Sequence, residues 1–94
     1  MKSIWKYELP VEDIVKVEMQ ADAEILCVQS QQGTPCIWAV VDPKTTKCTR
    51  TFRIIGTGHP VSDDLSKMKY IGTFQMRDGF LIFHLFEIFG VFDA

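Results

Sequence analysis

Residues 70–87 read Tyr-Ile-Gly-Thr-Phe-Gln-Met-Arg-Asp-Gly-Phe-Leu-Ile-Phe-His-Leu-Phe-Glu, and this stretch decides the fold. Asp78-Gly79 sits between two apolar runs of strand length. Asp-Gly suits the two positive-φ positions of a type I′ hairpin turn, because glycine pays no steric penalty there and aspartate tolerates it. The stretch predicts a strand over 70–76, a tight turn, and a partner strand over 80–87 or beyond. Leu81, Phe83 and Leu85 fall on one face of the second strand, and Ile82, Phe86 and Ile88 on the other. A strand that is apolar on both faces is covered on both. Part of it is therefore expected to meet another subunit, which makes a homo-oligomer the expected state.

Period-2 alternation continues in both directions from the hairpin. Trp5, Tyr7 and Leu9 alternate with Lys6 and Glu8, so 3–9 is a predicted half-buried strand ended by Pro10. Val15, Val17 and Met19 give a second strand, residues 20–24 a turn, and residues 25–29 a third strand. Gln32-Gly33-Thr34-Pro35 is a break. Residues 36–41, CIWAVV, are apolar on both faces and predict a central strand with Trp38 in the core. Asp42-Pro43-Lys44-Thr45 has type I turn chemistry. In 47–55, Cys48, Phe52 and Ile54 share the inward parity, whereas Lys47, Thr49, Thr51 and Arg53 face water or ligand. Arg50 falls on the apolar parity, so it is either solvated near a strand end or functional. Residues 61–69 are the only helix candidate, with Ser62 as cap and Asp63 and Asp64 at the positive end of its dipole. Residues 1–94 thus predict a single small all-β domain, an antiparallel sandwich or small barrel of about seven strands with at most one short helix.

The chain is 94 residues long and carries a net charge of −2, which argues against binding long nucleic acid. Its charge is uneven. Residues 1–24 hold six acids and three bases, whereas residues 42–69 hold three acids and six bases. Lys44, Lys47, Arg50 and Arg53 follow one another with no acid between them. They predict a modest cationic patch, suited to a small anion. The opening MKSIWKYELP has no secretory apolar run, and 80–92 is too short to span a bilayer and is broken by His84 and Glu87, so no membrane partner is expected. Cys27, Cys36 and Cys48 lack paired spacing, so reduced and mostly buried thiols are expected, with no metal site and no cofactor.

The loop Gly56-Thr57-Gly58-His59-Pro60 is the most suggestive local feature. Two glycines let successive backbone N–H groups turn to one side and cradle an anion. Thr57 adds a hydroxyl, His59 a ring that donates to phosphate or stacks on a base, and Arg53 a guanidinium three residues earlier. The competing reading is a turn that only reverses the chain. Trp5, on an edge-like strand, is a candidate stacking platform. His84 reads as a core or interface histidine. No nucleophile elbow, paired-histidine phosphoesterase spacing or convergent acid cluster is present, so no enzyme is expected.

The segments IWKYELPVED, CVQSQQGTPCIWAVVDP, FRIIGTGHP and YIGTFQMRDGFLIFHLFE together resemble a family of small bacteriophage and prophage proteins known as a domain of unknown function. The likeness runs from Ile4 to Glu87. It implies phage origin and a host-cytoplasmic location, and it carries no catalytic motif. Some small oligomeric phage β proteins act as anti-defence sponges that sequester cyclic nucleotide signals. The expectation is therefore a non-enzymatic binder of a small anionic nucleotide, with Arg50, Arg53, Gly56, Thr57, Gly58, His59 and Trp5 as ligand-binding residues. The alternative is a phage accessory protein that blocks a host protein by direct contact, through the apolar last strand or the acidic face of residues 8–24.

Overall fold

Strands with alternating side chains have one apolar face each to hide, and two sheets pressed together hide them all. The computed structural model of this chain describes residues 1–89 and has this architecture. Its strands are β1 (Ser3–Glu8), β2 (Ile14–Gln20), β3 (Glu24–Gln31), β4 (Thr34–Val41), β5 (Lys47–Gly56), β6 (Met68–Met76) and β7 (Leu81–Ile88). One antiparallel sheet has the order β1-β4-β3 and the other β2-β5-β7-β6. The expected all-β sandwich of seven strands is what forms. No helix among the described residues is long and apolar enough to cross a membrane.

The inward faces build the core. Val15 and Met19 from β2, Phe52 and Ile54 from β5, and Leu85 from β7 meet Val28 from β3 and Ile37, Ala39 and Val41 from β4. Phe52 is fully enclosed, and truncating such a ring to alanine costs about 3–5 kcal/mol. The β3 and β6 edges approach each other along one side of the sandwich. Ser30 Oγ donates to the Gln75 carbonyl at 2.5 Å, and a Cβ on Gly72 would sit 3.2 Å from Val28 Cγ1. Glycine at 72 is what lets the two edges close there.

The doubly apolar runs β4 and β7 are both interior strands of their sheets, as their composition requires. Trp38 corrects the expectation of a core residue. It pairs with Lys6 and Cys27 on the outer face of its sheet and is half-buried, because Ile37, Ala39 and Val41 take the inner parity. Trp5 pairs with Ala39 on the edge strand β1 and is exposed.

The turns follow local chemistry. Gln32 (φ 51°) and Gly33 (φ 82°) make the two-residue turn between β3 and β4. Asp42 accepts the Thr45 N–H at 2.9 Å, closing the expected Asp-Pro turn. The β6–β7 connection keeps the register implied by Asp78-Gly79, with Met76 opposite Leu81, but spends four residues on the reversal. The helix expected over 61–69 shrinks to a single 3-10 turn, Leu65–Lys67, because the chain enters β6 at Met68. Its cap is Asp64 rather than Ser62. Hydrogen bonds from the Ser66 hydroxyl and N–H hold the Asp64 carboxyl below the usual range.

Arg50 is neither solvated nor free. It lies on the inner face of β5, where Glu87 of β7 grips its Nε and Nη2 at 2.6 and 2.7 Å and the Ala23 carbonyl accepts from Nη1 at 2.5 Å. The Glu87 bond raises the guanidinium pKa above its ordinary value, against the effect of burial. Removing the carboxylate leaves a half-buried cation without its counter-charge. Glu87→Gln should therefore lower unfolding stability by about 1–3 kcal/mol in urea titration at unchanged m-value. A loss below about 0.5 kcal/mol would show that the pair is merely superficial.

Candidate functional site

At the end of the four-stranded sheet, β5 runs out into Gly56–Pro60 and β7 begins. Two cavities meet there. One, of about 390 Å3, is lined by Val11, Asp13, Arg53, Gly56, His59 and Phe83, among others. The other, of about 250 Å3, is lined by Gly56, Thr57, His59, Phe80, Leu81, Ile82 and Phe83. Gly56, His59 and Phe83 belong to both, so the two adjoin as parts of one groove around this loop, one part with charged residues in its wall and the other mostly apolar.

The ring is seated over Gly56. A Cβ at that position would stand 3.1 Å from both Cε1 and Nδ1 of His59. Gly58, at φ 87°, supplies the left-handed step that returns the chain toward the sheet. Two of the amides expected to cradle an anion are engaged within the protein. Thr57 N–H donates to the Ile82 carbonyl at 3.0 Å, and His59 N–H donates to the Gly56 carbonyl at 3.1 Å. The loop uses these donors to hold itself against β7, so the side chains of Arg53 and His59 remain as its anion-facing groups.

Arg53 points from the outer face of β5, opposite in parity to Arg50. Its Nε donates to Asp63 Oδ2 at 3.0 Å, and its Nη1 donates to the carbonyls of Asp13 and Ile54 at 3.2 and 2.8 Å. The Asp13 carboxylate, 94% exposed, lies 3.6 Å from Nη1. The cationic run read from the sequence is thus distributed. Arg50 serves Glu87, Arg53 leans on Asp63, and Lys47 lies 3.8 Å from Glu18. The groove brings together Arg53, Gly56, Thr57 and His59. Arg50 is on the opposite face of β5, and Trp5 is on β1 of the other sheet and lines neither cavity.

A polar cluster that the sequence reading missed anchors this loop. His84, from β7, stands on the outer sheet face beside Tyr70 and Thr73 of β6. Its Nε2 is 2.7 Å from Thr57 Oγ1, and its Nδ1 is 3.2 Å from both Tyr70 Oη and Thr73 Oγ1. Tyr70 Oη also bonds Thr73 Oγ1. One assignment uses each hydrogen once. Tyr70 donates to Thr73, Thr73 to His84 Nδ1, His84 Nε2–H to Thr57, and Thr57 to the Ile82 carbonyl. In this assignment both ring nitrogens are engaged, and His84 positions Thr57. The signal was available: counting back from Asp78-Gly79 puts Thr73 directly opposite His84.

The cysteines are free, and burial pushes the Cys36 thiol up, away from the thiolate form that nucleophilic chemistry needs. Among the described residues no group of three or more acids, histidines or cysteines is placed to hold a metal ion.

The family described as Domain of unknown function (DUF7352) matches residues 1–89, and the chain belongs to it. No curated protein and no solved structure matches the chain.

The close seat of His59 on Gly56 gives a direct check. Gly56→Ala should push the imidazole out by a few tenths of an ångström while the ladder to Phe83 persists. The expected outcome is a changed His59 ring resonance, with His84 resonances and the melting temperature nearly unchanged.

Proposed function

We propose that the protein is a non-catalytic binder of a small anionic nucleotide, held in the groove around His59. The observation that carries this reading is the groove's two-part chemistry. One half offers Arg53 and the His59 ring beside the acids Glu12 and Asp13, and the other offers Phe80, Leu81 and Ile82. A nucleotide has the same division, with an anionic phosphate joined to a flat, largely apolar base. Phe80, 88% exposed at the start of β7, is available as a stacking face, and stacking is worth about 1–3 kcal/mol per base. A phosphate entering the charged half would compete with the solvated Asp13 carboxylate for the Arg53 positive charge, while Asp63 keeps Nε and the Asp13 and Ile54 carbonyls keep Nη1. Sequestration needs shape and slow release rather than reaction chemistry. In a phage, as the sequence resemblance implies, such binding would withdraw a cyclic nucleotide signal from host defence in the host cytoplasm. A homo-oligomer, expected from the apolar last strand, would let two subunits enclose one ligand.

A second reading rests on a different observation. Phe80, Leu81 and Ile82 form a run of three exposed apolar side chains, a feature that also suits contact with a host protein. Acidic residues near the groove, Glu12 and Asp13, would then favour a basic partner surface.

Thermal denaturation with cyclic di- and trinucleotides, and with linear nucleotides as controls, separates the two readings. A ligand at 100 times its dissociation constant adds about 2.7 kcal/mol, which for a domain of this size is a rise of roughly 10 °C or more. Arg53→Ala or His59→Ala should remain folded by circular dichroism and weaken binding about 10- to 100-fold, the loss of one charge-assisted contact. Wild-type affinity in both variants excludes this groove. No shift with any nucleotide favours the protein-contact reading.

A further inference from the structure

A cavity of about 690 Å3 lies at another place, between the β3–β4 and β6–β7 hairpins. Its walls include Gln29 and Ser30 from β3, Gln75 from β6, and Arg77 and Gly79 from the β6–β7 turn. Its floor is the seam where the two sheets approach without a ladder, held by the Ser30 hydroxyl on the Gln75 carbonyl.

Arg77 differs from the other two arginines. Arg50 is gripped by Glu87 and Arg53 by Asp63, whereas among the described residues Arg77 makes no salt bridge. Its backbone is also unusual. Arg77 (φ 51°), Asp78 (φ 54°) and Gly79 (φ 91°) are three successive residues in the left-handed region. For a non-glycine residue that conformation costs roughly 1–2 kcal/mol. Chain reversal alone does not require three such residues in succession, since the neighbouring hairpin turns on two, Gln32 (φ 51°) and Gly33 (φ 82°). Strain retained where a simpler turn would serve points to a function at that place. Here it carries an unpaired guanidinium to the rim of a cavity. Two carboxamides face the same space. Neither the Gln29 nor the Gln75 side chain hydrogen-bonds to the protein among the described residues, and Gln75 Oε1 lies over the turn, 3.2 Å from where a Cβ on Gly79 would be.

We infer that this groove is a ligand site separate from that at His59, for a small molecule that joins an oxyanion to a planar hydrogen-bonding group, the chemistry of a nucleoside monophosphate. Arg77 takes the phosphate through its planar fork, the geometry in which arginine exceeds lysine. The Gln29 and Gln75 carboxamides, each with donor and acceptor side by side, meet the edge of a base. The site rests on Arg77 and the two glutamines alone and stands or falls independently of the His59 groove.

The test is a titration of the 15N-labelled full chain with guanosine monophosphate, uridine monophosphate and inorganic phosphate. The Arg77 Nε–H and the Gln29 and Gln75 amide resonances report this site, and Arg53 Nε–H and the His59 ring report the other. A saturable shift at Arg77 and the glutamines is expected with a nucleotide, at affinity about 10-fold or more above that of phosphate alone. Arg77→Gly relieves the left-handed strain, so its melting temperature should hold or rise while affinity falls about 10-fold or more. Asp78→Gly relieves the same kind of strain and removes a carboxylate from the cavity wall, so its affinity should hold or rise. No saturable shift at Arg77 up to about 10 mM nucleotide overturns the assignment. So does wild-type affinity in Arg77→Gly, or a fall in its melting temperature, which would give Arg77 a structural role. Shifts confined to Arg53 and His59 would overturn this site and leave the other standing.

Discussion

The bond between Arg50 and Glu87 sets the frame for the rest of the molecule. A guanidinium and a carboxylate, 22% and 15% exposed, close one end of an otherwise apolar core. They join β5 to β7, and the third contact, to the Ala23 carbonyl, joins both to the turn that crosses between the sheets. A half-buried ion pair is costly to break and inexpensive to keep only in one geometry. It therefore acts as a register pin. With Arg50 inward, Arg53 faces outward three residues later, and Gly56 arrives opposite Phe83. The His59 groove is a consequence of that alignment.

The same economy explains the site's character. Three of the four basic residues that look like a patch in the sequence, Lys47, Arg50 and Arg53, pair with acids on neighbouring strands and loops. Asp63 fixes Arg53 across the β5–β6 connection, and Glu18 faces Lys47 across the β2–β5 pair. The His59 amide closes the loop's own turn, the Thr57 amide ties it to β7, and the Thr57 hydroxyl is tied through His84 to Thr73 and Tyr70. What remains for a ligand is a fixed ring over a glycine, one guanidinium with an exchangeable partner, and an exposed apolar lip. Under the proposed reading, such an arrangement would recognise a ligand by preformed shape, which lowers the ordering cost of binding.

The fold was legible because period-2 alternation survives every context in the chain. All seven strands fall within a residue or two of the sequence reading, and the doubly apolar runs 36–41 and 80–87 mark interior strands. The misread positions of Trp38 and Arg50 share one physical origin. Parity says which side chains share a face, but not which face looks inward or what stands opposite. Trp38 was assigned to the core because its strand is apolar throughout, yet Ile37 and Ala39 hold the inner parity. The Arg50 partner lies 37 residues away, on a strand whose place in the sheet no local pattern reveals. The short helix failed for a different reason, since strand pairing from Met68 onward outweighed two turns of weak helical preference. Within the site, Arg53, Gly56, Thr57 and His59 do converge, as their closeness in sequence suggested. Thr73 and His84 could have been paired from the hairpin register alone.

In the proposed function, this member of a family of unknown function holds a small nucleotide intact. The most direct measurement is mass spectrometry of the native protein recovered from the cells in which it acts, repeated on the filtrate after heat denaturation. The account predicts a bound species that ultraviolet absorbance identifies as a nucleotide and that appears unaltered in the filtrate. Recovery of the chain with a stoichiometric host polypeptide and no small molecule would contradict it.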